Sequence, residues 1–154
     1  MTLTGVVASN ITVLDFQSTS TSAVTYSGTS GNDAIVGGAG GDTFNGGAGS
    51  DTLLGWGGND TFNIRSKSGA FADVVNGGAG TDTIAFTEST VAAGSTLTLT
   101  TANATNFENL SGSNAVETLN GDNNANTIKG DGGADTLNGN GGNDILVASG
   151  NDLA

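Results

Sequence analysis

Asp33, Asp42, Asp51 and Asp60 stand nine residues apart, and more than the acid repeats. Glycine precedes each by five residues (Gly28, Gly37, Gly46, Gly55) and again by two (Gly31, Gly40, Gly49, Gly58). A large apolar residue follows each by two: Ile35, Phe44, Leu53, Phe62. The unit reads Gly-x-x-Gly-x-Asp-x-U-x, with U apolar. Such a period leaves few folds open. Glycine at this density is too costly inside a helix. One apolar side chain per unit cannot be buried unless neighbouring units stack on each other.

The frame returns further along. Gly77 to Ala85 is a full unit, with Asp82 and Ile84, and Ser68 to Asn76 is degenerate but keeps Asp73 and Val75. Four extra residues, Ile64 to Lys67, separate that degenerate unit from the first run. Near the C-terminus, Gly130 to Asn138 (Gly130, Gly133, Asp135, Leu137) and Gly139 to Val147 (Gly139, Gly142, Asp144, Leu146) are full units. Upstream of them, Gly121 to Lys129 carries Asn126 at the acid position, and Gly112 to Asn120 carries Glu117. Thr precedes U in most units, at Thr43, Thr52, Thr61, Thr83, Thr118, Thr127 and Thr136. With 5% aromatic residues and a net charge of −12, composition alone reads as disorder. A disordered chain has no reason to keep such a frame.

The glycine-rich half of each unit suits a tight turn with positive φ, and x-U-x suits a very short strand with U pointing inward. Turn plus strand is half a coil. Two units then close one coil, coils stack about 4.8 Å apart, and loops on one flank belong to units n and n+2. The expected fold is all-β, a right-handed parallel β-solenoid or β-roll. Asp33 then stacks near Asp51 and Asp42 near Asp60, while Glu117 approaches Asp135 and Asn126 approaches Asp144. Carboxylates about 5 Å apart repel by roughly 3 kcal/mol at an effective dielectric near 20. A hard divalent cation between the loops reverses that sign.

The donors point to calcium. Aspartates Asp33, Asp42, Asp51, Asp60, Asp82, Asp135 and Asp144 are the expected side-chain ligands. Asp73, Glu117, Asn126 and Asp152 join them from imperfect loops. Backbone carbonyls of Gly28, Gly31, Gly37, Gly40, Gly46, Gly49, Gly55, Gly58, Gly130, Gly133, Gly139 and Gly142 complete the oxygen cages. Calcium accepts six to eight oxygens in flexible geometry, whereas magnesium holds a strict octahedron and keeps its waters. Zinc favours His or Cys, and the sequence has neither. One buried side chain per nine residues also makes a thin core, so metal binding and folding are expected to be one event. Cages joining the first run to loop 77–82 are expected to suffer from the insertion at Ile64 to Lys67. Asp122 and Asp131, at the second repeat position, read as surface charge. Trp56, also in a loop, reads as exposed or as touching a neighbouring domain.

Other functions find little support. Fifteen Asp and Glu against Arg65, Lys67 and Lys129 argue against nucleic acid and against an anionic membrane surface. No stretch has the length of a membrane span. Met1 to Asn10 lacks a basic segment followed by a long apolar one, so no cleavable leader is expected. Without His, Cys or a Gly-x-Ser-x-Gly elbow, no catalytic site is expected; any enzyme domain would lie outside this chain.

The nonapeptide resembles the repeats-in-toxin (RTX), or hemolysin-type calcium-binding, repeat, most strongly at residues 28–63, 77–85 and 130–147. The resemblance implies a parallel β-roll with several calcium ions between loops of alternate repeats. It also implies secretion through a type I machinery, directed by an uncleaved C-terminal signal, with folding in external calcium. The adjoining domains would belong to a larger chain. After the imperfect unit around Ser149, Gly150, Asn151 and Asp152 the sequence runs only to Ala154, so a fragment or an atypical member is expected. Two other readings stay open: a structural segment of a surface adhesin or S-layer protein, and an ice-binding array of outward Thr residues.

Four segments follow. Residues 1–27, with Val13, Phe16, Val24 and Tyr26, read as strands or a cap leading into the solenoid. Residues 28–85 form a first calcium block, with the insertion at 64–67. Residues 86–111 form a metal-free solenoid stretch in which Ser95 to Thr100 alternates as a half-buried strand. Residues 112–154 form a second calcium block. Glu88 and Glu108 read as solvated.

Overall fold

The computed structural model describes residues 20–64, 73–86, 94–99, 103–149 and 151–154. Most of the expected N-terminal cap, the insertion beyond Ile64 and Glu88 lie outside them. The strands, in chain order, are β1 (Thr25–Ser27), β2 (Ala34–Val36), β3 (Thr43–Asn45), β4 (Thr52–Leu54), β5 (Thr61–Ile64), β6 (Val74–Asn76) and β7 (Thr83–Phe86), then β8 (Ser95–Thr98), β9 (Ala104–Thr105), β10 (Asn109–Ser111), β11 (Glu117–Asn120), β12 (Thr127–Lys129), β13 (Thr136–Asn138) and β14 (Ile145–Val147). All pair in parallel, and no helix occurs among the described residues.

Two walls result. The first is a seven-stranded sheet in the order β1-β3-β5-β7-β10-β12-β14. The second consists of a four-stranded piece, β2-β4-β6-β9, and a three-stranded piece, β13-β11-β8. Successive units therefore alternate between walls, and unit n pairs with unit n+2: Phe44 with Phe62 in the first wall, Ile35 with Leu53 in the second. This is the expected β-solenoid.

The U residues fill the space between the walls. Phe44, Leu53, Phe62, Ile84, Leu119 and Ile128 are fully buried. Their strand neighbours are half-exposed, as the period of two requires. Tyr26, Phe44 and Phe62 stack down the first wall with ring centroids 5.2 and 4.5 Å apart, and Phe107 closes the column edge-on at 5.1 Å. Outside, Asn63 donates its amide to Asn45 Oδ1 at 2.8 Å, and Asn138 donates to Asn120 Oδ1 at 2.6 Å. The outward Thr rank runs through Thr25, Thr43, Thr61 and Thr83, and Asn109 interrupts it before Thr127.

Two irregularities are absorbed without loss of register. The insertion after Ile64 leaves β5 paired with β7 and β4 paired with β6. The described parts of the stretch 86–111 continue the solenoid irregularly. In the first wall, Ile84 pairs directly with Leu110. In the second, two strands form where one would suffice: β8 pairs with β11, and β9 with β6. Leu97, Leu99, Ala104 and Phe107 from this stretch are buried in the same core.

Candidate metal loops

The acidic residues form ladders along both flanks. Asp42 donates its backbone N–H to Asp60 Oδ1 at 2.7 Å, and Asp60 donates to Asp82 Oδ1 at 2.8 Å. On the other flank, Asp33 donates to Asp51 Oδ1, and Asp51 to Asp73 Oδ1, both at 2.9 Å. In the second block, Glu117 donates to Asp135 Oδ1 at 2.8 Å, Asp135 to Asp152 Oδ1 at 3.0 Å, and Asn126 to Asp144 Oδ1 at 2.9 Å. One carboxylate oxygen of each upper acid is thus tied to the rung below. The pairs anticipated from the spacing, Asp33 with Asp51 and Asp42 with Asp60, are brought together.

The second carboxylate oxygen divides the loops into two kinds. In a closed loop it accepts the N–H four residues back: Asp33 from Thr29 at 2.6 Å, Asp42 from Gly38 at 2.8 Å, Glu117 from Ser113 at 3.2 Å. Asn126 Oδ1 does the same with Asp122 at 2.8 Å. In an open loop that second residue has positive φ: Gly47 (102°), Trp56 (77°), Gly78 (103°), Asp131 (62°) and Asn140 (67°). The peptide is turned over, and its N–H does not reach the acid. Oδ2 of Asp51, Asp60, Asp82 and Asp135 is then buried without a hydrogen-bond partner. Leaving a buried charged oxygen unpaired is among the costliest local arrangements in a protein.

Backbone carbonyls crowd the same oxygens. A β-carbon on Gly37 would lie 2.7 Å from both Asp42 Oδ2 and the Gly55 carbonyl. The equivalent atom on Gly28 would strike the Gly46 carbonyl, on Gly112 the Gly130 carbonyl, and on Gly121 the Gly139 carbonyl. At Gly55 it would strike the Gly77 carbonyl, an oxygen that was not among the expected donors although Gly77 opens a full unit. Gly31 and Gly40 carbonyls face Gly49 and Gly58 of the loops above. Any side chain at the first repeat position would fill this cradle, so glycine there serves access.

Charge and burial act together. Burial raises the Asp51, Asp73, Asp82, Glu117 and Asp135 carboxyls above their ordinary range. Asp60 is pushed up to about 6, by burial first and then by the charges of Asp82 and Asp42. Asp152 is held low by N–H donors from Ser149 and Asp135. Among the described residues no three carboxylates converge on one point. A cation here would therefore take its oxygens from paired acids and carbonyls. Hard, oxygen-only donors with spare negative charge suit calcium.

Two expectations change, and one irregular position finds its place. Loop 55–60 stacks on loop 77–82 as closely as regular loops do: Ala79 donates to the Trp56 carbonyl at 3.0 Å and Gly58 to that of Ala79 at 2.9 Å. The four extra residues in the sequence do not part these loops. Asp152, one residue short of the frame, still enters the ladder, because Leu153 bridges to Thr136 in the second wall. Glu108 is no bystander: its Oε2 accepts the Asp82 N–H at 2.8 Å, in the column of repeat acids. The usable signal was Leu110 two residues after it, the spacing of acid to U. Of the loop positions read as surface charge, Asp131 is exposed, whereas Asp122 caps its own turn through Asn124. Trp56 is exposed.

A parallel solenoid with acid ladders and glycine cradles on both flanks defines a class of metal-loop β-rolls. The chain matches the family model of the RTX calcium-binding nonapeptide repeat, in four copies, over residues 27–62, 67–86 and 111–146. These stretches make up more than half of the sequence, and the chain belongs to that family. A comparison with curated proteins finds no significant match.

Proposed function

We propose that this chain is the calcium-dependent folding module of an exported protein, with no catalytic chemistry of its own. The observation that carries this reading is the set of buried, unpartnered carboxylate oxygens on Asp51, Asp60, Asp82 and Asp135. Without a cation each is a liability to the folded state. With one, the liability becomes a ligand. The cages lie between loops 28–33 and 46–51, 37–42 and 55–60, 55–60 and 77–82, 112–117 and 130–135, and 121–126 and 139–144. Several calcium ions bind per chain, and binding and folding are coupled.

The same physics supports export. A chain that cannot hold its acid ladders together without calcium stays unfolded where calcium is scarce and folds where it is plentiful. That property suits passage through a type I channel and supports a working form outside the cell, beside further domains of a longer chain. The lack of His and Cys and the engagement of the paired acids in ladders support a non-enzymatic role.

Circular dichroism tests the coupling. In EGTA the spectrum should be that of a largely unfolded chain. Millimolar calcium should produce β signal, and equal magnesium much less. A full β spectrum in EGTA would overturn the proposal.

A further inference from the structure

The family repeat leaves residues 87–110 unmatched, and no glycine loop occurs between Gly94 and Gly112. Residues 106–108, just after β9, nevertheless occupy a loop position on the flank of Asp42, Asp60 and Asp82. Asn109 donates to the Asp82 carbonyl at 3.0 Å, as Thr83 donates to that of Asp60 and Thr61 to that of Asp42, each at 2.8 Å. Leu110, next to Asn109, is buried at the U position between Ile84 and Ile128. Glu108 therefore stands in register with the repeat aspartates, although no nonapeptide surrounds it.

The oxygens match those of a repeat cage. Asp82 has no exposed surface, and its Oδ2 has no hydrogen-bond partner. A β-carbon on Gly77 would lie 2.5 Å from that oxygen and would also strike the Asn106 carbonyl. At Gly55 the same construction meets Asp60 Oδ2 and the Gly77 carbonyl. Asn106, held at φ 57°, thus presents its carbonyl where a repeat presents that of its first glycine. The Glu108 carboxylate adds negative charge beside it, with Oε2 on the Asp82 N–H.

We infer that loop 77–82 and residues 106–108 form a further calcium site, built from Asp82 Oδ2, the Asn106 carbonyl and the Glu108 carboxylate, in a stretch whose sequence lacks the repeat. The site rests on the calcium reading above and extends the first block's column by one rung. It also gives the irregular coil a purpose. Pairing Ile84 directly with Leu110 brings Glu108 over Asp82, which a further regular coil between them would prevent.

Crystals of the whole chain grown in calcium, with an anomalous difference map, provide the test. A peak about 2.3–2.6 Å from Asp82 Oδ2 and from the Glu108 carboxylate is expected. Calcium in the repeat loops with none here overturns this site alone. Calcium nowhere overturns the functional reading as well. In solution, Glu108→Gln keeps an acceptor for the Asp82 N–H and removes the charge. By equilibrium dialysis it should bind one calcium fewer per chain than the wild type, while Asp131→Asn should lose none. An unchanged stoichiometry in Glu108→Gln overturns the site.

Discussion

Loops 55–60 and 121–126 stand on the same flank of the solenoid and differ at two positions that matter. In the first, Trp56 has φ of 77° and Asp60 Oδ2 is buried without a partner. In the second, Asp122 keeps negative φ and donates its N–H to Asn126 Oδ1 at 2.8 Å, while the Asn126 amide donates to the Phe107 carbonyl at 3.4 Å. One loop is left with an unmet demand for positive charge. The other satisfies itself. The repeat therefore does not make equivalent rungs: peptide orientation at the second position, together with the charge at the sixth, decides how strongly a rung needs its cation.

The largest effect should come from removing the acid of an open loop. Asp60→Ala takes a ligand from mid-stack and exposes two interfaces to weakening, so the calcium midpoint by circular dichroism should rise by about tenfold or more. Asp42→Ala, in a closed loop, should raise it less. Equal shifts would erase the distinction between the two kinds of loop.

Next comes conversion of the self-satisfied loop. Asn126→Asp should lower the midpoint of the second block by about threefold to tenfold, because a charged ligand replaces a neutral one. In EGTA the same variant should keep even less β signal than the wild type, since Asp144 then faces a like charge. A variant more stable in both conditions would mean that the amide is simply a poor fit.

Acidification separates the ladders from their metal. In the calcium-free chain, Asp60 has its folded-state pKa raised to about 6, above the ordinary carboxylate value near 4. A raised carboxyl binds its proton more tightly when folded. Its contribution is therefore fully present below about 4 and is lost as pH rises through about 6. Lowering the pH from 7 to 4 in EGTA should stabilise the fold. With calcium present the sign reverses, because protons displace the cation. The β signal by circular dichroism at both pH values checks this crossing: in EGTA it should grow at pH 4, and with calcium it should shrink.

The smallest effects concern the second repeat position. Trp56→Gly removes a left-handed non-glycine and should stabilise the calcium-loaded form by about 1 kcal/mol, seen as a melting temperature a few degrees higher. Asp131→Ala removes an exposed charge and should barely move the calcium midpoint. A shift as large as that of Asp60→Ala would mean that overall charge, and not a defined cage, governs binding.

Much of this was legible along the chain. A period of nine, with glycine, acid and U at set offsets, determined the parallel coils, the inward column from Phe44 to Leu137 and the pairing of Asp42 with Asp60 and Asp33 with Asp51. These depend only on turn chemistry, the alternation of strand side chains and the return of the chain every two units, all of which are local. The tertiary structure decided what counting residues could not. Glu108 joins the acid column because β8 and β9 take up the extra length of 86–111 in the second wall, leaving Leu110 to pair with Ile84 in the first. Loop 77–82 meets loop 55–60 because the register of β5 with β7 survives the insertion. The choice between open and closed loops rests on single peptide orientations, which Gly38 and Gly47 resolve differently in nearly the same sequence. Register is set by which strands meet, and a strand meets its neighbour across space, after the chain has spent whatever length it needs in between.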